Sequence, residues 1–214
     1  MPAYKLKRFP TPFDSPTLAG VTQSCAFILA TNWLMQGVRG MDRKELAFRL
    51  LLEALLTAAL LPACGPALAL AAAHSLNFTL NGQVWVCVRY CRAYRRDPAA
   101  VAGFAAATRR LLERQGWLDE AALIGSRGRA DEAWGPRSDI DLRLVVPAGP
   151  LGWLRANLLL LRLRSLAFLP AIPLGLYAYD GPESLARLDQ REPLAPVLDR
   201  RGRLAAAFRD RIAP

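Results

Sequence analysis

Ala121-Ala122-Leu123-Ile124-Gly125-Ser126-Arg127-Gly128-Arg129, followed by Ser138-Asp139-Ile140-Asp141-Leu142, is the part of the chain on which its fold turns. An apolar run closing on Gly-Ser predicts a strand that turns into a helix. The second stretch predicts a strand with two carboxylates at i and i+2, which side-chain alternation puts on one face. The same alternation groups Arg143 with Asp139 and Asp141, and sends Ile140, Leu142 and Leu144 into the core. Two carboxylates next to a helix N-terminus suit a divalent metal held against a polyphosphate.

Working outward, Asp97-Pro98 predicts a helix start, with Asp as N-cap and Pro at the first helical position. That helix runs through Phe104 and Leu111-Leu112 to a stop at Gly116. A strand follows at 121–124, then a loop through Gly135-Pro136 and a strand at 139–146. A helix over 151–169 covers the sheet, a third strand spans 172–179, and Asp180-Gly181-Pro182-Glu183 opens a short helix. The predicted class is α+β: a small mixed β-sheet domain flanked by helices over 97–214, preceded by an apolar all-α module over 1–96.

That first module carries long uncharged runs at 15–38 and 54–88. The second is broken by Pro62-Ala63-Cys64-Gly65-Pro66. Its His74, Asn77 and Asn81 fall at i, i+3 and i+7, one helix face, which reads either as a seam between helices or as a ligand lining. Arg39, Arg43, Lys44 and Arg49 precede the run, and Arg89, Arg92, Arg95 and Arg96 follow it. If both clusters are cytoplasmic, the run enters and leaves on one side and bends at the Pro-Gly-Pro region. The expectation is a helical hairpin or re-entrant insertion at the cytoplasmic face of a membrane, with 15–38 lying along the surface or packing on the hairpin. A soluble, cytoplasmic helical bundle is the alternative. The polar N-terminus, with Pro2, Pro10 and Pro12, does not read as a secretory signal.

Charge adds little about partners. The 214 residues hold 28 Lys and Arg against 18 Asp and Glu, but residues 1–96 carry 11 basic and 4 acidic groups while 97–214 carry 17 and 14. The basic excess therefore lies away from the carboxylate motif, and a nucleic-acid partner is not expected. Cys25, Cys64, Cys87 and Cys91 lie in apolar or near-apolar sequence without a Cys-x-x-Cys, so they are expected to be buried free thiols. With His74 the single histidine, a zinc site is not expected, which narrows the chemistry to carboxylates and metal.

Gly125-Ser126 joined to Asp139-Ile140-Asp141 resembles the nucleotidyltransferase superfamily related to DNA polymerase beta, and most of all its small minimal members. The likeness covers about twenty residues directly and extends loosely over 97–200. It implies that Asp139 and Asp141 hold Mg2+, that Gly125 lets the backbone approach a nucleoside triphosphate, and that Ser126 donates to a phosphate oxygen. Arg127 and Arg129 follow as phosphate-neutralising candidates or as solvated loop arginines. For Arg143 a phosphate contact and a salt bridge to the carboxylates stay equally open. Trp134 reads as a base-stacking surface or as a cap on a core edge. The implied activity is magnesium-dependent transfer of a nucleoside monophosphate to an unidentified acceptor: a small molecule, a lipid-linked sugar or a protein. Many relatives carry a third carboxylate on a neighbouring strand, and here that position is Gly175, in Pro173-Leu174-Gly175-Leu176-Tyr177. This departure opens an alternative, a catalytically weakened nucleotide-binding or partner-docking protein. Glu183 and Asp189 are weak replacement acids, and a toxin–antitoxin role is disfavoured by the apolar module.

Overall fold

The computed structural model describes residues 7, 15–36, 41–124, 134–187 and 193–212. Helices α1 (Ala19–Thr22), α2 (Cys25–Met35), α3 (Arg43–Leu80) and α4 (Gln83–Val88) come first. Then follow α5 (Pro98–Glu113), β1 (Glu120–Ile124), β2 (Ile140–Val145), α6 (Pro150–Phe168), β3 (Leu174–Tyr179), β4 (Leu194–Asp199) and α7 (Arg203–Ala207). The α+β class holds, with the long apolar helix ahead of the sheet.

The four strands form one mixed sheet in the order β3-β2-β1-β4. β1 pairs antiparallel with β2 and with β4, while β2 and β3 are parallel and joined through α6. The burial of β2 alternates as its sequence requires: Ile140, Leu142 and Leu144 are buried, Asp141 and Arg143 half-buried. The buried set meets Leu174, Leu176 and Ala178 of β3 and the apolar stripe of α6 (Trp153, Ala156, Leu160, Leu163) in the main core. Val101 and Leu112 of α5 close that core, and Asp97 caps α5 by accepting from Ala99 N at 3.0 Å. On the other face, Ala122, Ile124, Val145 and Leu194 pack under Leu185, Leu204 and Phe208. That cover lies over β1 and β4 and leaves the opposite end of the β2–β3 pair to polar residues.

β4 is not foreseen by the sequence. Pro196 interrupts its pattern, and it is tolerated because β4 is an edge strand and its register against β1 shifts between Ala121 and Ala122.

α3 is two helices rather than one. Gly65 adopts φ 72 and ψ 170, outside any helix, and separates the legs between Pro62 and Pro66. The legs run back along each other: Asn77 Nδ2 donates to Glu53 Oε2 at 2.9 Å and to the Arg49 carbonyl at 3.2 Å, and His74 Nδ1 meets Glu53 Oε1 at 2.8 Å. The hairpin bend is where the sequence puts it, and His74 and Asn77 form the interhelical seam, while Asn81 donates to Asn77 of its own leg. Ala69 and Ala73, fully buried on the same face as Asn77, let the legs approach closely.

At the hairpin base the seam becomes a charged knot. Glu45 Oε1 accepts from Arg49 at 2.7 Å and from Arg164 of α6 at 2.8 Å. Arg164 also donates to Asn81 Oδ1 at 3.2 Å and to the Leu176 carbonyl on the exposed edge of β3. Arg49 donates to the Gln36 carbonyl at 3.0 Å. All three charged side chains are at most 3% exposed. The knot blunts the β3 edge and ties the helical module to the sheet domain.

The cysteine expectation needs correction. Cys25 and Cys91 form a disulfide, because the packing of α2 against α4 brings their Cα atoms to 5.1 Å, a proximity that a sequence separation of 66 does not advertise. Cys87 is a buried free thiol, pushed up to about 11 by burial. Cys64 is free and half-exposed at the hairpin bend. Closing a loop of this length stabilises a fold by about 4 kcal/mol in chain-entropy terms. Reductant, or Cys25→Ser, is therefore expected to lower the urea midpoint correspondingly, and identical unfolding curves with and without reductant would show the bond to be idle.

Candidate functional site

The register of β2 with β3 builds the site. Asp141 lies beside Gly175, Arg143 beside Tyr177 and Val145 beside Tyr179. On the other side, Leu123 pairs with Leu142, so β1 ends at Ile124 alongside Asp141. Gly125, Ser126, Arg127 and Arg129 follow Ile124 and lie outside the described residues, as does Asp189.

Asp141 is a half-buried carboxylate. Its Oδ1 sits where a Cβ on residue 175 would be, so glycine is what makes room for it. Among the described residues it has no hydrogen-bond or ion-pair partner, although a half-buried anion is costly to leave uncompensated. Asp139, one residue ahead of β2, is the reverse case, because Arg89 at the end of α4 forms an ion pair with it. Arg89 also donates to the Tyr90 hydroxyl at 3.0 Å.

Arg143 forms no ion pair with either carboxylate among the described residues. Its Nη1 donates to the Gly175 carbonyl at 3.0 Å and the Leu142 carbonyl at 3.1 Å, and its guanidinium lies 4.8 Å from the Tyr177 ring centroid. It therefore stiffens the β2–β3 pair next to Asp141. Burial pushes the Tyr179 hydroxyl pKa up, and the nearby Arg143 charge pulls it partly back. Trp134 packs on the edge of the main core rather than standing free. Asp180 accepts from Lys44 at 2.7 Å and from the Trp153 indole, which removes it as a third acid. Glu183 is exposed on the turn after β3.

Arg89 is the site residue that sequence reasoning missed. Its cluster with Arg92, Arg95 and Arg96 reads as a topology marker, and only folding shows it wrapped around the start of β2. Arg96 N donates to the Pro136 carbonyl at 2.8 Å, Arg137 reaches the Arg92 carbonyl at 2.7 Å, and the Tyr94 hydroxyl reaches the Ala171 carbonyl at 2.8 Å. Residues 89–96 thus strap the loop ahead of Asp139, and the Cys25–Cys91 bond anchors the strap.

The donor set fits magnesium in part. Mg2+ is held by one or two carboxylates plus substrate phosphates and water. Asp141 has no partner among the described residues, whereas Asp139 is taken up by Arg89. Among the described residues, no group of three or more His, Cys, Asp or Glu stands together. No protein-family model, curated protein or solved structure matches the chain.

Proposed function

We propose that this chain is a magnesium-dependent nucleotidyltransferase working at a membrane face. One observation carries the reading: the half-buried carboxylate of Asp141, without a hydrogen-bond or ion-pair partner among the described residues, beside the strand end that leads into Gly125-Ser126. Asp141 and Asp139 would hold the metal, which supplies charge neutralisation across the triphosphate. Arg89, freed from Asp139, would turn to a phosphate oxygen, joined by Arg127 and Arg129 from the adjoining loop. The acceptor attacks the α-phosphorus in line, the bond to the β-phosphate oxygen breaks, and pyrophosphate leaves. Positioning and charge stabilisation are the protein's contribution, as phosphoryl chemistry requires. The test is incubation of the native chain with each α-labelled nucleoside triphosphate, magnesium and candidate acceptors. Label transferred only with magnesium supports the proposal, and the absence of both transfer and magnesium-dependent binding would sink it.

Gly175 favours a second reading, a nucleotide-binding protein whose transfer chemistry has decayed. The Gly175→Asp variant separates the two. Its new Cβ pushes aside the Asp141 carboxylate, so magnesium-dependent nucleotide binding by the variant is measured first, and its rate is compared only where that binding is kept. If catalysis has decayed for want of that acid, transfer rises by about 10²-fold or more, the usual worth of a general base. If the native chemistry runs without it, the rate barely changes.

A further inference from the structure

The helical hairpin carries an inference that does not depend on the nucleotide site. Beyond the Glu53–His74 pair, residues 54–73 hold no charged side chain. Exposed positions include Leu55, Leu61, Leu68 and Leu70, which are 45–61% exposed. The exposed positions are 54, 55, 58, 59 and 61–63 on the first leg and 66–68, 70 and 71 on the second, so each leg turns about half of its circumference outward and the two together leave only the seam covered. A docking face for a protein helix would be one stripe; this surface is apolar nearly all round, as a lipid-facing one is. Only 6% of the most apolar 18-residue window of α3 is buried.

Length decides how deep such a hairpin goes. From Glu53 to the bend at Gly65 is about 11 helical residues, roughly 16 Å at 1.5 Å each. That is about half of a 30 Å hydrocarbon core. The polar side chains of this segment satisfy themselves within it: Thr57 Oγ1 donates to the Glu53 carbonyl at 2.8 Å and Cys64 Sγ to the Leu60 carbonyl at 3.2 Å. Pro62 and Pro66 bring no N–H to the bend, where the helical ladder is interrupted. The waterline is marked as well. Trp33 lies edge-on to His74 with ring centroids 4.7 Å apart, its Nε1 donates to Ser75 Oγ at 3.1 Å, and Leu34 and Met35 beside it are 67% and 58% exposed. A tryptophan at the boundary of polar and apolar surface is an interfacial anchor.

We propose that residues 54–73 insert as a monotopic hairpin into one phospholipid leaflet, with Trp33, Glu53 and His74 at the headgroups and Cys64 near the bilayer midplane. The basic excess of residues 1–96 favours an anionic leaflet.

Cys64 is a native reporter, since Cys25 and Cys91 are bonded and Cys87 is buried. The full chain would be labelled at Cys64 with bimane and mixed with phosphatidylcholine–phosphatidylglycerol vesicles carrying bromines at defined acyl depths. Quenching should be strongest with bromines near the chain ends. In the unlabelled chain, a membrane-impermeant maleimide should react with Cys64 at least about tenfold more slowly once vesicles are added, whether supplied outside or encapsulated. Leu55→Lys with Leu68→Lys should weaken vesicle binding by about 100-fold while leaving the far-UV spectrum and thermal midpoint unchanged. Emission indifferent to vesicles would overturn the proposal. So would labelling by encapsulated reagent, which means the bend crosses the bilayer, or Cys64–Cys64 crosslinking in a lipid-free dimer, which means a second copy covers the hairpin.

Discussion

Glu45→Ala is expected to cost about 3–5 kcal/mol, the penalty for leaving buried charge uncompensated, and so to leave much of the chain unfolded at 37 °C. Glu45 is the only acid holding the Arg49 and Arg164 guanidiniums in the described knot, at 2.7 and 2.8 Å. Without it two buried cations face each other. The strain between them is already visible: burial first, then the Arg164 charge, lowers the Arg49 pKa to about 10, against the pull of Glu45. Because that value is depressed, the unfolded chain binds the extra proton above pH 10, and this group's share of stability rises with pH only there. Over pH 6–9 Arg49 of the native chain therefore adds no pH dependence to stability. Urea unfolding followed by tryptophan fluorescence measures the loss. Replacing all three with apolar residues (Glu45→Leu, Arg49→Met, Arg164→Met) should recover most of it. A loss under about 1 kcal/mol for Glu45→Ala would mean the knot is water-filled.

Asp141→Asn is expected to lower magnesium-dependent transfer on the order of 10³-fold, because a carboxylate ligand to the metal is worth several kcal/mol of charge stabilisation. The same change should leave stability unchanged or slightly raised. It neutralises a half-buried anion that has no partner among the described residues, and an amide is close in size to the carboxylate over Gly175. A purely structural Asp141 gives the opposite pattern, with stability falling and transfer tracking the folded fraction. Steady-state rates set against thermal midpoints separate the two.

Much of this architecture is written in local pattern. Alternation in Ile140-Asp141-Leu142-Arg143 places every side chain of β2 on its observed face, Asp97-Pro98 caps α5, and the Pro62–Pro66 segment bends the hairpin. His74 and Asn77 of the polar face meet the partner leg as a seam should, whereas Asn81 is met by Arg164 of α6. What escapes is what long-range packing decides. Arg89 reaches Asp139 from 50 positions away along the chain, Cys25 meets Cys91 through the packing of α2 on α4, and β4 hides behind Pro196. The parallel register that sets Gly175 against Asp141 is half-legible: aligning the third strand puts a glycine at the acidic position, and only the folded sheet shows that the Asp141 carboxylate fills the space. The disulfide and the flanking arginines bear on the compartment from opposite directions, since disulfides persist in oxidising surroundings and arginine clusters favour the cytoplasmic side. A one-leaflet hairpin returns both of its ends to the same side, whichever that is.

The central claim is a metal-assisted triphosphate site at Asp141. Calorimetric titration of ATP, GTP, CTP and UTP into the native chain and into Asp141→Asn, with magnesium and then with EDTA, tests it most directly. The native chain should bind at least one nucleotide saturably in magnesium, and that binding should be lost in EDTA and in the variant. Binding of equal strength in all of these conditions, or none in any, would contradict it.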